Sequence, residues 1–148
     1  MQLTRYSDYS LRALLYLSQM PKNTATIVEI ADFYKISKNH LVKVVHHLAD
    51  LGYIKTLQGK GGGVQLVPAA RDRTLAEIVK KTEPNFYLVE CFNTTRNDCI
   101  ITDHCRMQKI FHHALKAFFQ VLERYTLADL DNSNLTQQIS SFLNSNIS

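Results

Sequence analysis

"TIVEIADFYKISKNHLVKVVHHLADLGYIKTLQGKGGGVQLVP", residues 26–68, is the segment that decides the fold. It opens on a capping box, in which the Thr26 hydroxyl accepts from the third helical amide and Glu29 reaches back to the first. Two stretches then repeat apolar residues at helical spacing. Their apolar positions are Ile27, Ile30, Ala31 and Tyr34 in the first, and Leu41, Val44, Val45 and Leu48 in the second. With Gly52 as a C-terminal cap, two short helices joined this tightly predict a helix-turn-helix.

A β-hairpin is predicted directly after the second helix. Residues 53–57 are rich in β-formers, "GKGGG" makes a glycine-dense turn at 59–63, and residues 64–67 form a second strand that Pro68 ends. The glycine run is not a nucleotide-binding P-loop, because it links two strands and lacks the Lys-Ser/Thr that opens a helix. A helix-turn-helix followed at once by a basic hairpin predicts a winged helix.

The second helix carries polar side chains away from its apolar stripe, with His40, Lys43 and His47 on one face. Asn can pair with adenine and Lys can reach guanine or phosphate, so we predict that this helix lies in the major groove of DNA. The alternative is an ordinary amphipathic helix with a solvated face. Glycines in the hairpin tip allow close approach to a polyanion. The predicted DNA-binding residues are Ser37, Lys38, Asn39, His40, Lys43, Lys55, Gln58 and Lys60.

Charge divides the chain into two unlike halves. Residues 1–70 hold eight Lys/Arg and four Asp/Glu, whereas residues 71–148 hold nine of each. A basic first half is typical of a nucleic-acid-binding module. The chain is 45 % hydrophobic, it opens on no charged-then-apolar leader, and no apolar run approaches the roughly 20 residues of a membrane span. We therefore expect a cytoplasmic protein, and the absence of a nucleophile–base constellation favours a non-enzyme.

The second half predicts a connector and a long helix. A buried helix at residues 7–20 precedes the decisive segment, and Thr102 is predicted to cap the long helix. That helix repeats apolar residues every 3.5 positions, which favours a lengthwise seam between two copies over packing on its own domain. The seam residues are Met107, Phe111, Ala114, Phe118, Val121 and Tyr125.

The fold class is thus mainly α with a small β-hairpin. Its parts are a winged helix-turn-helix domain (1–83), a cysteine-bearing loop (84–106), a dimerisation helix (102–130) and a tail (131–148).

All three cysteines, Cys91, Cys99 and Cys105, fall within one polar window. An odd number in a protein expected inside the cell argues against a disulfide framework. Closely spaced thiolates in a loop favour a metal or iron–sulfur site over inert buried thiols. The spacing lacks the Cys-x-x-Cys of a zinc knuckle. Three thiolates leave one site of a four-iron cluster unfilled, and the chain offers several fourth ligands: Glu90, Asp98, Asp103, His104 and, more distant, Asp8, His112 and His113.

The chain resembles the iron–sulfur winged-helix regulators that include IscR, and among them the nitric-oxide-sensing repressors. The resemblance rests on residues 1–17, 36–54, 59–66, 83–84 and 125–130 ("YTLADL"), together with the cysteine window. It implies a homodimer on a palindromic double-stranded promoter site, repressing until nitric oxide attacks the cluster. It also implies ligation by Cys91, Cys99, Cys105 and Asp8 of the partner subunit.

The same resemblance implies a 4Fe-4S cluster, with 2Fe-2S as the alternative. In the IscR-like pattern a His three residues after the last Cys is a ligand, and here that position is Gln108. This difference favours the nitric-oxide-sensing branch. The alternative function is a related regulator that senses cluster supply, iron or redox state.

Overall fold

The computed structural model describes residues 2–59 and 62–145. Within them the chain is mainly helical with one small sheet, which confirms the predicted fold class. The helices are α1 (Arg5–Gln19), α2 (Ile27–Tyr34), α3 (Lys38–Asp50), α4 (Leu75–Thr82), α5 (Arg106–Leu122) and α6 (Ser133–Ser145). The strands β1 (Thr24–Ala25), β2 (Ile54–Leu57) and β3 (Gly63–Leu66) pair antiparallel in the order β1-β3-β2.

The predicted helix-turn-helix is confirmed. Glu29 N donates to the Thr26 hydroxyl at 3.1 Å, and the Glu29 carboxylate accepts from Thr26 N, so both halves of the capping box form. Helix α2 ends at Lys35, whose left-handed φ of 54° turns the chain sharply toward α3. Ser37 occupies the N-cap of α3, although its hydroxyl makes no capping hydrogen bond. The tight turn fixes the angle between α2 and α3.

The wing contains one strand more than the sequence predicts. Strands β2 and β3 form the expected hairpin, with Ile54 opposite Leu66 and Leu57 opposite Gly63. The extra strand is β1, which pairs with the other side of β3. A Cβ at Gly63 would lie 2.5 Å from the carbonyl oxygen of Ala25, so only glycine allows β1 to approach this closely. Glycine at this position therefore lets β1 join the sheet beside β3.

Helix α1 is the centre of the core. It packs against α2, α3, α4 and β3, which explains why even its Ser7 and Ser10 are fully buried. It begins at Arg5, two residues before the predicted start, because Thr4 caps it by accepting from Ser7 N. Leu14, Tyr16 and Leu17 of α1 are fully buried in one core with side chains of the neighbouring elements: Ile30, Leu41, Leu48, Leu66 and Ile78.

Helix α5 begins later than predicted. Residues Thr102–His104 form a separate 3-10 turn, and Cys105 is the N-cap of α5. The prediction that Thr102 caps this helix is wrong, because its hydroxyl donates to the Cys99 carbonyl at 2.7 Å and accepts from the Asn97 amide at 2.9 Å. Both bonds close the preceding loop and leave the hydroxyl unable to cap a helix.

The segment after α5 returns the chain to the winged helix. Leu75 N donates to the Tyr125 carbonyl at 2.8 Å, and Leu127 N donates to the Arg73 carbonyl at 3.0 Å. The Leu127 side chain is fully buried. Helix α6 then packs against α2, where the ring centroids of Phe142 and Phe33 lie 5.3 Å apart. The "YTLADL" stretch is thus a clamp between α5 and the winged helix.

None of the helices in the described ranges is long and apolar enough to cross a membrane.

Leu127→Ala should destabilise the chain by about 2–5 kcal/mol, because it removes a fully buried side chain and leaves a cavity in the clamp. Urea unfolding followed by circular dichroism measures the loss. Val28→Ala, on an exposed part of α2, is the control and should change stability by less than about 0.5 kcal/mol. A Leu127→Ala effect as small as that control would contradict the clamp.

Candidate nucleic-acid interface and cysteine site

The beginning of α3 presents an unbroken polar surface. Residues 37–40 are all exposed, and Lys43 joins them one turn later. The opposite stripe of the helix is buried against the core, so packing orients these side chains outward. The structure thus brings together the predicted residues Ser37, Lys38, Asn39, His40 and Lys43. Cationic and amide side chains on one exposed helix face suit phosphates and base edges.

The wing adds polar side chains after the C-terminal end of α3. Gly52 takes a φ of 75° just past the helix, which turns the chain into β2 within three residues. Lys55 and Gln58 are exposed on this hairpin. Lys60, the other predicted contact, lies outside the described residues. Lys55 and Gln58 thus extend the polar surface of α3 onto the wing.

His47 is less exposed than His40 and Lys43, with which the sequence places it on one polar face of α3. Its ring is half-buried, with its centroid 5.5 Å from that of Tyr6, because the first turn of α1 covers this side of α3. The Tyr6 hydroxyl donates to the Lys43 carbonyl at 3.2 Å. Burial, assisted by the Asp50 carboxylate, raises the pKa of Tyr6, so the hydroxyl stays protonated as a donor. Helical periodicity alone could not reveal this contact, because Tyr6 and His47 are far apart in sequence.

The three cysteines lie on the segment between α4 and α5. Cys91 is in the 3-10 turn Glu90–Phe92, Cys99 lies in the following loop, and Cys105 caps α5. All three thiols are free and half-buried. Cys105 stands at the helix end where unpaired amides and the helix dipole attract an anionic ligand. A cap at Thr102, as predicted, would place Cys105 within the first turn of the helix, whereas the structure places it at the cap itself.

Side chains of α5 anchor the Cys91 turn. The Gln108 amide donates to the Cys91 carbonyl at 3.3 Å, and Phe92 stacks on His112 with ring centroids 4.0 Å apart. In the same loop, the Glu90 carboxylate accepts from Asp98 N at 2.8 Å. Sequence reasoning named His112 only as a distant candidate ligand and missed its contact with Phe92, although the ring stays exposed as a residue of a solvated flank would.

Asp8, the fourth ligand that the resemblance implies, is held by Arg12 one turn further along α1. Its two carboxylate oxygens accept from the guanidinium at 2.9 and 2.8 Å. The same guanidinium lies 5.7 Å from the ring centroid of Tyr34, on α2. Burial raises the pKa of Tyr34 to about 12, although the positive charge of Arg12 acts to lower it. Asp8 is thus part of a charged contact between α1 and α2.

The donor set suits a thiophilic metal centre, because three free thiols occupy one short segment and are committed to no disulfide. In the described ranges of this single chain, no three or more Cys, His, Asp or Glu side chains are gathered around one metal position. The residues therefore fit an iron–sulfur centre in their chemistry.

A family model described as "Rrf2: Iron-dependent Transcriptional regulator" matches residues 3–133, nearly the whole chain. The chain belongs to the Rrf2 family. The HTH-type transcriptional regulator NsrR of Shouchella clausii is 50 % identical over 131 residues, covering 88 % of each chain. NsrR of Bacillus subtilis is 45 % identical and covers 88 % of this chain and 90 % of its own. This Rrf2 chain is thus a DNA-binding transcriptional regulator, as its resemblance implies.

Solved structures confirm the winged-helix architecture. Staphylococcus aureus CymR superposes with a TM-score of 0.67 at 23 % identity, covering 86 % of this chain and 95 % of its own. T. potens IscR superposes with a TM-score of 0.67 at 20 % identity, covering 88 % and 85 %. At such identities the likeness establishes the Rrf2 fold alone.

Proposed function

We propose that this chain is a homodimeric repressor that senses nitric oxide through an iron–sulfur cluster and releases promoter DNA when the cluster is attacked. The observation that carries the proposal is the position of three free thiols on the segment between the DNA-reading domain and α5. Relatives named NsrR at 50 % and 45 % identity support it. The protein would act in the cytoplasm, where thiols such as these remain reduced.

The exposed apolar surface of α5 supports a dimer. Met107, Ile110 and Val121 are 58 %, 64 % and 52 % exposed, and the described structure buries no residue of this helix. Phe111 and Phe118 of the predicted seam are half-buried and line a cavity of about 480 Å³ beside residues 83–88. A second copy packed along α5 would cover this surface and present two α3 helices to the half-sites of a palindrome.

Cys91, Cys99 and Cys105 would hold the cluster, with Asp8 of the partner subunit as the fourth ligand. Three thiolates and one carboxylate fit a 4Fe-4S cluster, with 2Fe-2S as the alternative. When bound, the cluster supplies iron that reacts with nitric oxide. The chain's own residues set the geometry: Gln108 and His112 fix the Cys91 turn on α5, and Asp8 must leave Arg12 to serve as a ligand.

Promoter binding by anaerobically prepared protein tests this function. Wild-type protein should bind tightly and release the duplex as nitric oxide bleaches the cluster absorbance, measured on the same samples by gel shift and spectroscopy. Cys99→Ala should fail to retain iron and sulfide, and its DNA binding should no longer respond to nitric oxide. Thr94→Ala, an exposed threonine in the same loop, is the control and should behave as wild type.

Unchanged promoter affinity while the wild-type cluster bleaches would refute nitric-oxide sensing. If iron limitation or oxidants released the DNA instead, the related regulator of iron or redox state would be the correct function. A fully loaded cluster in Cys99→Ala would refute the ligand assignment.

Lys43→Ala should weaken binding to all DNA sequences and lower the slope of log K against log salt concentration by about 1, because one phosphate contact releases about one counterion. Fluorescence anisotropy at several salt concentrations measures the slope. Lys116→Ala, which removes an equal charge from the exposed surface of α5, is the control. Equal slopes for Lys43→Ala and wild type would remove Lys43 from the interface.

A further inference from the structure

The first turn of α1 is bound to the residue that precedes the cysteine segment. Glu83 ends α4, and Pro84 starts the chain toward Cys91. One carboxylate oxygen of Glu83 accepts from Thr4 N at 2.6 Å and from the Thr4 hydroxyl at 3.1 Å. Because Thr4 is also the N-cap of α1, Glu83 holds the start of that helix. A displacement of the cysteine segment at Pro84 would act directly on this carboxylate.

Two residues further on, the same turn is bound to the DNA-reading helix. Tyr6 donates its hydroxyl proton to the main-chain carbonyl of Lys43, at 3.2 Å, and its ring contacts His47 one turn later on α3. Lys43 carries one of the exposed charges proposed to meet DNA. The first turn of α1 therefore contacts both the start of the cysteine segment and the middle of α3.

In the described part of the chain, one buried polar atom at this junction is unsatisfied. A crevice of about 360 Å³, open to solvent, lies between Thr4, Tyr6, His47, Thr82 and Glu83. His47 Nδ1 is buried there and finds no hydrogen-bond partner among the described residues. Buried polar atoms of native structures are rarely left without a partner. A second arrangement of these three elements that satisfies His47 would therefore compete with this one.

We propose that Glu83, Thr4 and Tyr6 are positioning residues through which the cysteine segment sets the placement of α3 on DNA. The inference rests on the proposed function, because it needs a cysteine-bound centre that changes state. Movement at Pro84 would shift Glu83 and the Thr4 cap, and Tyr6 would carry the shift to α3 at Lys43. The cysteine segment and the DNA bound by α3 would then both act on the contacts of Glu83, Thr4 and Tyr6. Coupling between two distant sites requires such shared contacts.

Two conservative variants test the link. Tyr6→Phe removes one hydroxyl, and Glu83→Gln removes one charge. Tyr9→Phe and Asp72→Asn are matched controls, since neither side chain makes a hydrogen bond within the described residues. For each protein, fluorescence anisotropy gives the promoter Kd with the cluster bound and after nitric oxide, and the ratio of the two values measures the coupling.

The link predicts that Tyr6→Phe and Glu83→Gln each lower that ratio by about fivefold or more, while iron content stays at the wild-type level. The controls should keep the wild-type ratio. The double variant should lose little more than either single one, because both act on one route. A wild-type ratio in both variants, or equal weakening of both Kd values, would overturn the link. A ratio of one in wild-type protein would instead refute the proposed function.

Hydrogen exchange on wild-type protein provides a readout that needs no variant. Removal of the cluster should change amide protection in residues 4–8 and 41–48 together. A change in α3 with none in the first turn of α1 would overturn the link even if the variants failed to fold.

Discussion

The unburied apolar surface of α5 is the constraint on which the rest of the account depends. Seventeen residues form this helix, and the described chain buries none of them, although Met107, Ile110 and Val121 lie along it. Burying apolar surface away from water contributes a favourable free energy of roughly 25 cal/mol per Å². A second copy on this surface would place two cysteine segments beside one seam, because Cys105 caps the same helix. It would also fix the spacing of two DNA-reading helices.

The winged helix could be predicted because its signals are local. The capping box at Thr26, the helical spacing in α2 and α3, and the glycine turn each involve neighbouring residues. Contacts between distant residues could not be predicted. Strand β1 has only two residues and forms because Gly63 lets it approach, and His47 is covered by a tyrosine about forty positions earlier. Thr102 failed as a cap because its hydroxyl bonds the loop before it.

The candidate site was predictable in its chemistry but not in its geometry. Three cysteines in a polar window indicate thiolate ligation whatever their arrangement. The resemblance alone pointed to Asp8, since spacing along the chain cannot bring a residue of α1 to a loop eighty positions later. The structure adds what spacing could not: Arg12 holds Asp8, α5 holds the Cys91 turn, and Glu83 binds the start of α1. The cysteine segment and α3 thus both contact the first turn of α1.

Pairing through α5 is the central claim, and sedimentation equilibrium of the cluster-free protein at micromolar concentration tests it most directly. A dimer formed through α5 should sediment as two 17.0 kDa chains, and Ile110→Glu, which places a charge on the exposed apolar surface, should shift it toward the single chain. A wild-type protein that sediments as one 17.0 kDa chain at every concentration would contradict the account.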